Sequence, residues 1–213
     1  MTIATENLSK RFNREWIFRG FTFAFPPGHY AIIGPNGSGK STLLQVLWGQ
    51  LPSTSGAIRY ELEGVLVPQE QVFRHVSIVA PYVDLMEELT LAEILHFHFS
   101  FKKSRENRTI PELMDLMELT YARDKQVGHF SSGMKQRLKL GLALFSEVQL
   151  LFLDEPTMNL DKAAIGWYWR NFRLLPPETT VLIGSNHEAE YPSEAIKISM
   201  ADYKGLQINP RPH

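Results

Sequence analysis

With 213 residues, 44% hydrophobic and 21% charged, the chain can bury one substantial core and has the make-up of an ordinary globular domain. Its 22 basic and 23 acidic side chains nearly cancel, which leaves no broad cationic surface for a nucleic acid, and the absence of cysteine excludes disulfides and thiolate metal sites. No apolar run approaches the length of a bilayer span, the longest (150–153 and 181–183) being the size of buried strands, and residues 1–12 carry Glu6, Lys10 and Arg11 where a secretory leader would be apolar.

Turn punctuation at Pro26-Pro27-Gly28, 52–56 and Pro176-Pro177 divides the chain into short segments, with no internal repeat or low-complexity tract. Apolar and β-branched content predicts strands at 2–8, 21–25, 30–33 and 57–62, interrupted by a helix that opens at Lys40 and runs to about Gly49. A strand is expected at 75–79. Thr90-Leu-Ala-Glu93 then has the form of a capping box, with Leu91, Ile94 and Leu95 behind it on one helical face. Pro111 suits the first turn of a second helix carrying Leu113, Leu116 and Met117, and a third begins near Ser132 and turns Leu138 and Leu142 inward. Alternation returns with a strand at 150–153, a helix from Asp161, a strand at 179–183 and a short closing strand at 195–199. This order predicts an α/β fold: a mainly parallel sheet covered on both faces, with the middle helices as an insert.

Gly34-Pro-Asn-Gly-Ser-Gly39-Lys40-Ser41 satisfies G-x-x-x-x-G-K-[ST] between a predicted strand and a predicted helix, the context this phosphate-binding loop needs. Glycines let the backbone curl until successive N–H groups converge on one anion, and the helix behind adds the positive end of its dipole. The expected phosphate contacts are Asn36, Gly37, Ser38, Gly39, Lys40, Ser41 and Thr42, with Lys40 reaching the terminal phosphates and the Ser41 hydroxyl ligating Mg²⁺. Leu150-Leu-Phe-Leu-Asp154-Glu155 is an apolar strand ending in two carboxylates. Ligands of parallel sheets gather at the carboxyl ends of strands, so Asp154 is expected in the Mg²⁺ shell, and Glu155, pointing the other way by strand alternation, on the attacking water.

Three further pieces narrow the reading. Phe130-Ser131-Ser132-Gly133-Met134-Lys135-Gln136-Arg137 resembles the signature of the ABC (ATP-binding cassette) ATPases, Met158-Asn159-Leu160-Asp161 their D-loop, and Ser185-Asn186-His187 their switch histidine. All stand in the family's order, and the likeness runs from about Leu8 to about Tyr191. It implies a P-loop NTPase fold in one domain over 1–213: a core with an N-terminal antiparallel β subdomain (1–81 and 145–213) and an inserted helical signature subdomain (82–144). It also implies ATP and Mg²⁺ as cofactors, with Lys40, Glu155 and His187 as the catalytic residues. In such a dimer each ATP lies between one copy's phosphate loop and the other copy's Ser131 and Gly133, with Asp161 capping its helix and touching the opposite subunit. Phe12 matches the family's adenine-stacking aromatic, with Trp16 as a competitor. A transporter ATPase of this kind sits on the cytoplasmic face of the cell membrane through a separate permease, and the chain carries no fused membrane segment.

Two departures qualify the likeness. The family's glutamine between the phosphate loop and the insert is replaced by Pro81, which has neither a side-chain amide nor an N–H, so its contact is absent or supplied elsewhere. Met134 replaces the signature's last glutamine and Ser132 its first glycine. The aromatics of 82–101 either line a groove for a permease helix or fill the core of the insert. A soluble ABC ATPase of an assembly pathway, such as iron–sulfur cluster maturation, is the alternative function. Nucleic-acid-acting members carry two cassettes or a long coiled-coil insert, and this chain has neither.

Overall fold

The structure is a computed structural model and describes residues 1–204. Two sheets meet in it. The antiparallel sheet holds β1 (Thr2–Phe12), β2 (Glu15–Phe25), β4 (Ser55–Leu62) and β5 (Val65–Val67) in the order β2-β1-β4-β5. The second, wholly parallel, holds β3 (Gly28–Ile33), β6 (Val76–Val79), β7 (Leu150–Asp154), β8 (Thr180–Gly184) and β9 (Ile196–Ser199) in the order β6-β7-β8-β3-β9. Helices α1 (Lys40–Leu47), α2 (Leu91–Phe101), α3 (Ile110–Leu116), α4 (Ser132–Leu144) and α5 (Lys162–Phe172) complete the molecule. The expected α/β class and the separate antiparallel sheet are both present.

The differences from expectation lie in the antiparallel sheet. β1 and β2 run four and six residues beyond the expected strands and form a long hairpin around Asn13, which takes a positive φ of 51°. Its polar outer part pairs Lys10 with Phe18 and Arg11 with Trp16, so cross-strand contacts rather than an apolar face hold it. β5 was not expected. It follows Glu63 and Gly64, both at positive φ (52° and 81°), as a tight two-residue hairpin turn requires.

The parallel sheet separates two packed layers, and side-chain alternation sorts its residues between them. Ile32, Leu150, Phe152 and Leu182 pack with α1 and the antiparallel sheet. Ala31, Leu151, Leu153, Val181 and Ile183 pack with α2, α3, α4 and α5. The capping box at α2 is formed: the Glu93 amide donates to Thr90 Oγ1 (3.3 Å) and the Thr90 amide to Glu93 Oε2 (2.8 Å). Leu138 and Leu142 of α4 are buried as expected. No helix among the described residues is long and apolar enough to cross a membrane.

Candidate functional site

The turn after β3 leaves the carboxyl edge of the parallel sheet and enters α1. Gly39 stands at the head of that helix in the left-handed region (φ 100°), and a β-carbon there would meet Ile17 Cγ2 at 2.6 Å. No other residue fits without displacing β2. Gly37 is also left-handed (φ 75°), but the space a β-carbon would fill is open. Lys40, itself buried, folds back over the loop and donates from Nζ to the carbonyls of Gly34 (2.8 Å) and Pro35 (3.3 Å). Asn36, Gly37, Gly39, Lys40, Ser41, Thr42, Ile17 and Glu155 line one cleft of about 220 Å³. Ser38 lies beneath it, its hydroxyl buried without a partner.

β7 delivers Asp154 to the same edge. The side chain is 1% exposed, and neither carboxylate oxygen has a hydrogen-bond partner. Burial pushes its pKa up, and the charge of Glu155 adds to this, while the Ser41 and Tyr82 hydroxyls and Lys40 lie close enough to oppose the rise without completing a hydrogen bond. A buried carboxylate left without partners is costly unless something charged arrives to pair with it. Asp154 with the Ser41 hydroxyl is an all-oxygen donor set suited to a hard divalent cation that also takes ligand oxygens.

Glu155 corrects one expectation. β7 ends at Asp154, so strand alternation does not orient Glu155; its backbone is left-handed (φ 49°), and its amide donates to the Gly184 carbonyl at 2.9 Å. Turn geometry aims this carboxylate, and a non-glycine residue held in that region marks local strain at the site. Tyr82 was missed by sequence reasoning. It follows Pro81, faces Asp154 and Gln45 with its hydroxyl, and rests on the Trp48 ring at a centroid distance of 6.2 Å. The signal lay beside the vacant glutamine position: a side chain that can donate, one residue after the place where an amide was expected.

His187 follows β8 and lines an adjoining cleft of about 410 Å³ with Asn36, Glu155, Thr157 and Asn186. Asn186 Nδ2 donates to Asn36 Oδ1 at 3.4 Å, so the two clefts share a wall. Ser131, Gly133 and Asp161 are not brought to them. They line a separate cleft of about 480 Å³ with Asn159 and Leu160. There Ser131 caps α4, accepting from the Met134 amide at 3.2 Å, and Asp161 caps α5, accepting from the Ala164 amide at 2.8 Å. Asp161→Ala is expected to lower unfolding free energy by about 1 kcal/mol, read as a lower urea midpoint at unchanged slope. Phe12, 45% exposed at the tip of β1, carries the Lys10 ammonium at 4.9 Å, while Trp16 lies against the Arg11 and Arg19 guanidiniums. Neither lines the 220 Å³ cleft, which their neighbour Ile17 does.

Residues 18–158 match the family model described as ABC transporter. The chain is 32% identical over 196 residues to Nod factor export ATP-binding protein I of Rhizobium sp. (strain N33), covering 89% of this chain and 64% of that protein. It is 31% identical over 209 residues to daunorubicin resistance ATP-binding protein DrrA2 of Streptomyces coeruleorubidus, covering 94% and 64%. The chain thus spans a little under two thirds of the length of these curated relatives. Its structure superposes on a solved structure described as the ATP binding subunit of an ABC transporter with a TM-score of 0.75, at 27% identity, over 87% of this chain and 79% of that one.

Proposed function

The chain belongs to the ABC transporter family, and from that premise we propose that it binds and hydrolyses ATP as the motor subunit of a transporter, two subunits closing on ATP. One observation carries the reading: a glycine loop, a buried lysine and Glu155 line a single cleft, and the unpaired, buried carboxylate of Asp154 stands beside Ser41 of that cleft. The loop amides and Lys40 meet the phosphates and stabilise charge as it develops on them. Glu155 orients the water and takes its proton, and His187 holds the γ-phosphate from the adjoining cleft. Ser41 and Asp154 are the residues to hold Mg²⁺, which when bound neutralises phosphate charge. Phe12, exposed at the end of β1, is the aromatic proposed for the adenine ring, with Trp16 beside Ile17 as its competitor.

Ser131, Gly133 and Asp161 lie in a cleft of their own, which supports their serving a second subunit's ATP rather than their own. The separation favours a head-to-tail dimer, with identical or different partners. The test is phosphate release by the purified chain with and without magnesium, and size exclusion with ATP; a chain that neither binds nor turns over ATP overturns the proposal.

A permease is the proposed membrane partner, holding the chain at the inner face of the cell membrane. A groove of about 520 Å³ opens between α2, α4 and β6, lined in part by Val83, Leu85, Met86 and Phe97. The aromatics of the insert divide between the two expected roles. Phe99 packs on the core, while Phe97 and Phe101 stand 44% and 76% exposed beside the groove. This supports docking of a permease segment there.

Tyr82, next to Pro81, stands between Trp48, which lines the groove, and Asp154. The Tyr82 hydroxyl takes up the role of the absent amide, so Tyr82→Phe is expected to lower turnover about fivefold with ATP affinity within twofold. Pro81→Gln is expected to raise basal turnover several-fold. Steady-state hydrolysis by the three proteins checks both, and equal rates throughout would remove any role for this pair.

A further inference from the structure

Glu190 is a charged side chain only 3% exposed, and the reaction above makes no use of it. Its carboxylate sits between the two loops that carry the reacting groups. Oε1 accepts from the Thr157 amide at 3.1 Å and from the Thr157 hydroxyl. Oε2 accepts from the Ser185 hydroxyl, whose oxygen in turn accepts from the His187 amide at 2.9 Å. Thr157 lies two residues after Glu155 and opens the 157–161 segment that ends at Asp161.

We propose that Glu190 is a positioning residue that fixes the Glu155 loop and the His187 loop to each other, so that the water-orienting and γ-phosphate-holding groups move as one unit. Its own backbone is anchored within the His187 turn and on α5. The Glu190 amide donates to the His187 carbonyl at 3.0 Å, the Tyr168 hydroxyl donates to the Glu190 carbonyl at 3.1 Å, and Trp169 Nε1 donates to the Ala189 carbonyl at 3.2 Å. α5 therefore holds the turn from which the carboxylate reaches both loops. Buried hydrogen bonds to a carboxylate are among the stronger ones, and a donor left unpaired in such a site loses its full desolvation energy. Movement of the 157–161 segment, which borders the Ser131 and Gly133 cleft, passes through one side chain to His187.

The inference rests on the ATPase reading for its consequence and on geometry for its existence, and the test separates the two. Glu190→Ala is expected to lower kcat at least tenfold while ATP affinity by calorimetry stays within twofold, since no phosphate contact is touched. Amide hydrogen exchange is expected to accelerate at least tenfold at both Thr157 and His187. Glu190→Gln, nearly isosteric, retains an oxygen for Thr157 but presents N–H to Ser185. It is expected to restore protection at Thr157 and not at His187, and to leave kcat low. Full turnover in Glu190→Ala, or exchange that changes at Thr157 alone, overturns the bracket while leaving ATP hydrolysis standing. A wild-type chain without turnover overturns the ATPase reading, and the exchange pattern still decides the bracket. If Glu190→Ala does not fold, Glu190→Gln carries both measurements.

Discussion

Glu155→Gln leaves ATP binding intact and removes turnover, with an expected loss in kcat of about a hundredfold or more, the scale of a missing general base. The argument begins with backbone rather than side chain. Glu155 is held at φ 49° by the hydrogen bond its amide donates to the Gly184 carbonyl and by the loop on its other side, so the isosteric amide occupies the same place. Gln can still hold water but cannot take its proton. ATP then persists in the closed pair, and size exclusion with ATP should show a dimer where the wild-type protein returns to monomer. A Glu155→Gln protein that elutes only as monomer, or that keeps wild-type phosphate release, would move the catalytic base elsewhere.

Lys40→Ala is expected to weaken ATP binding by a hundredfold or more in calorimetry. Among the described residues Lys40 Nζ donates to the carbonyls of Gly34 and Pro35, a pair of neutral acceptors it exchanges for phosphate oxygens. Charge-assisted bonds to phosphate contribute about 1.5–3 kcal/mol each, so two of them account for the expected loss. Truncation also removes the Lys40 donor from the Gly34 carbonyl, while the Pro35 carbonyl keeps the Ser38 amide at 3.1 Å, and Lys40→Met, which keeps the packed stem, separates the lost charge from a collapsed loop. Affinity retained in both variants would mean that the loop amides alone bind the nucleotide.

The parts of the fold and site legible in sequence share one property: contiguity. The phosphate loop, the apolar strand before Asp154, and the capping box at Thr90 are each written within a few neighbouring residues whose local chemistry dictates their shape. What was not legible depends on distant partners. β5 is three residues long, below any periodic signal, and exists because Glu63-Gly64 turns it back onto β4. The outer β1–β2 hairpin is polar and is held by pairing across strands. Glu155 was placed by alternation, whereas a left-handed backbone sets it. Glu190, an acid beside other acids after His187, reads as a solvated turn until Thr157 and Ser185, 33 and 5 residues away, converge on it.

The sheet that divides the two packed layers also divides how a substitution in either is felt. Leu182 packs with α1 and the antiparallel sheet, while the next residue along, Ile183, packs with α2, α3, α4 and α5. A change of volume on one side is therefore absorbed without repacking the other. Among the described residues, no core side chain is shared between the two layers.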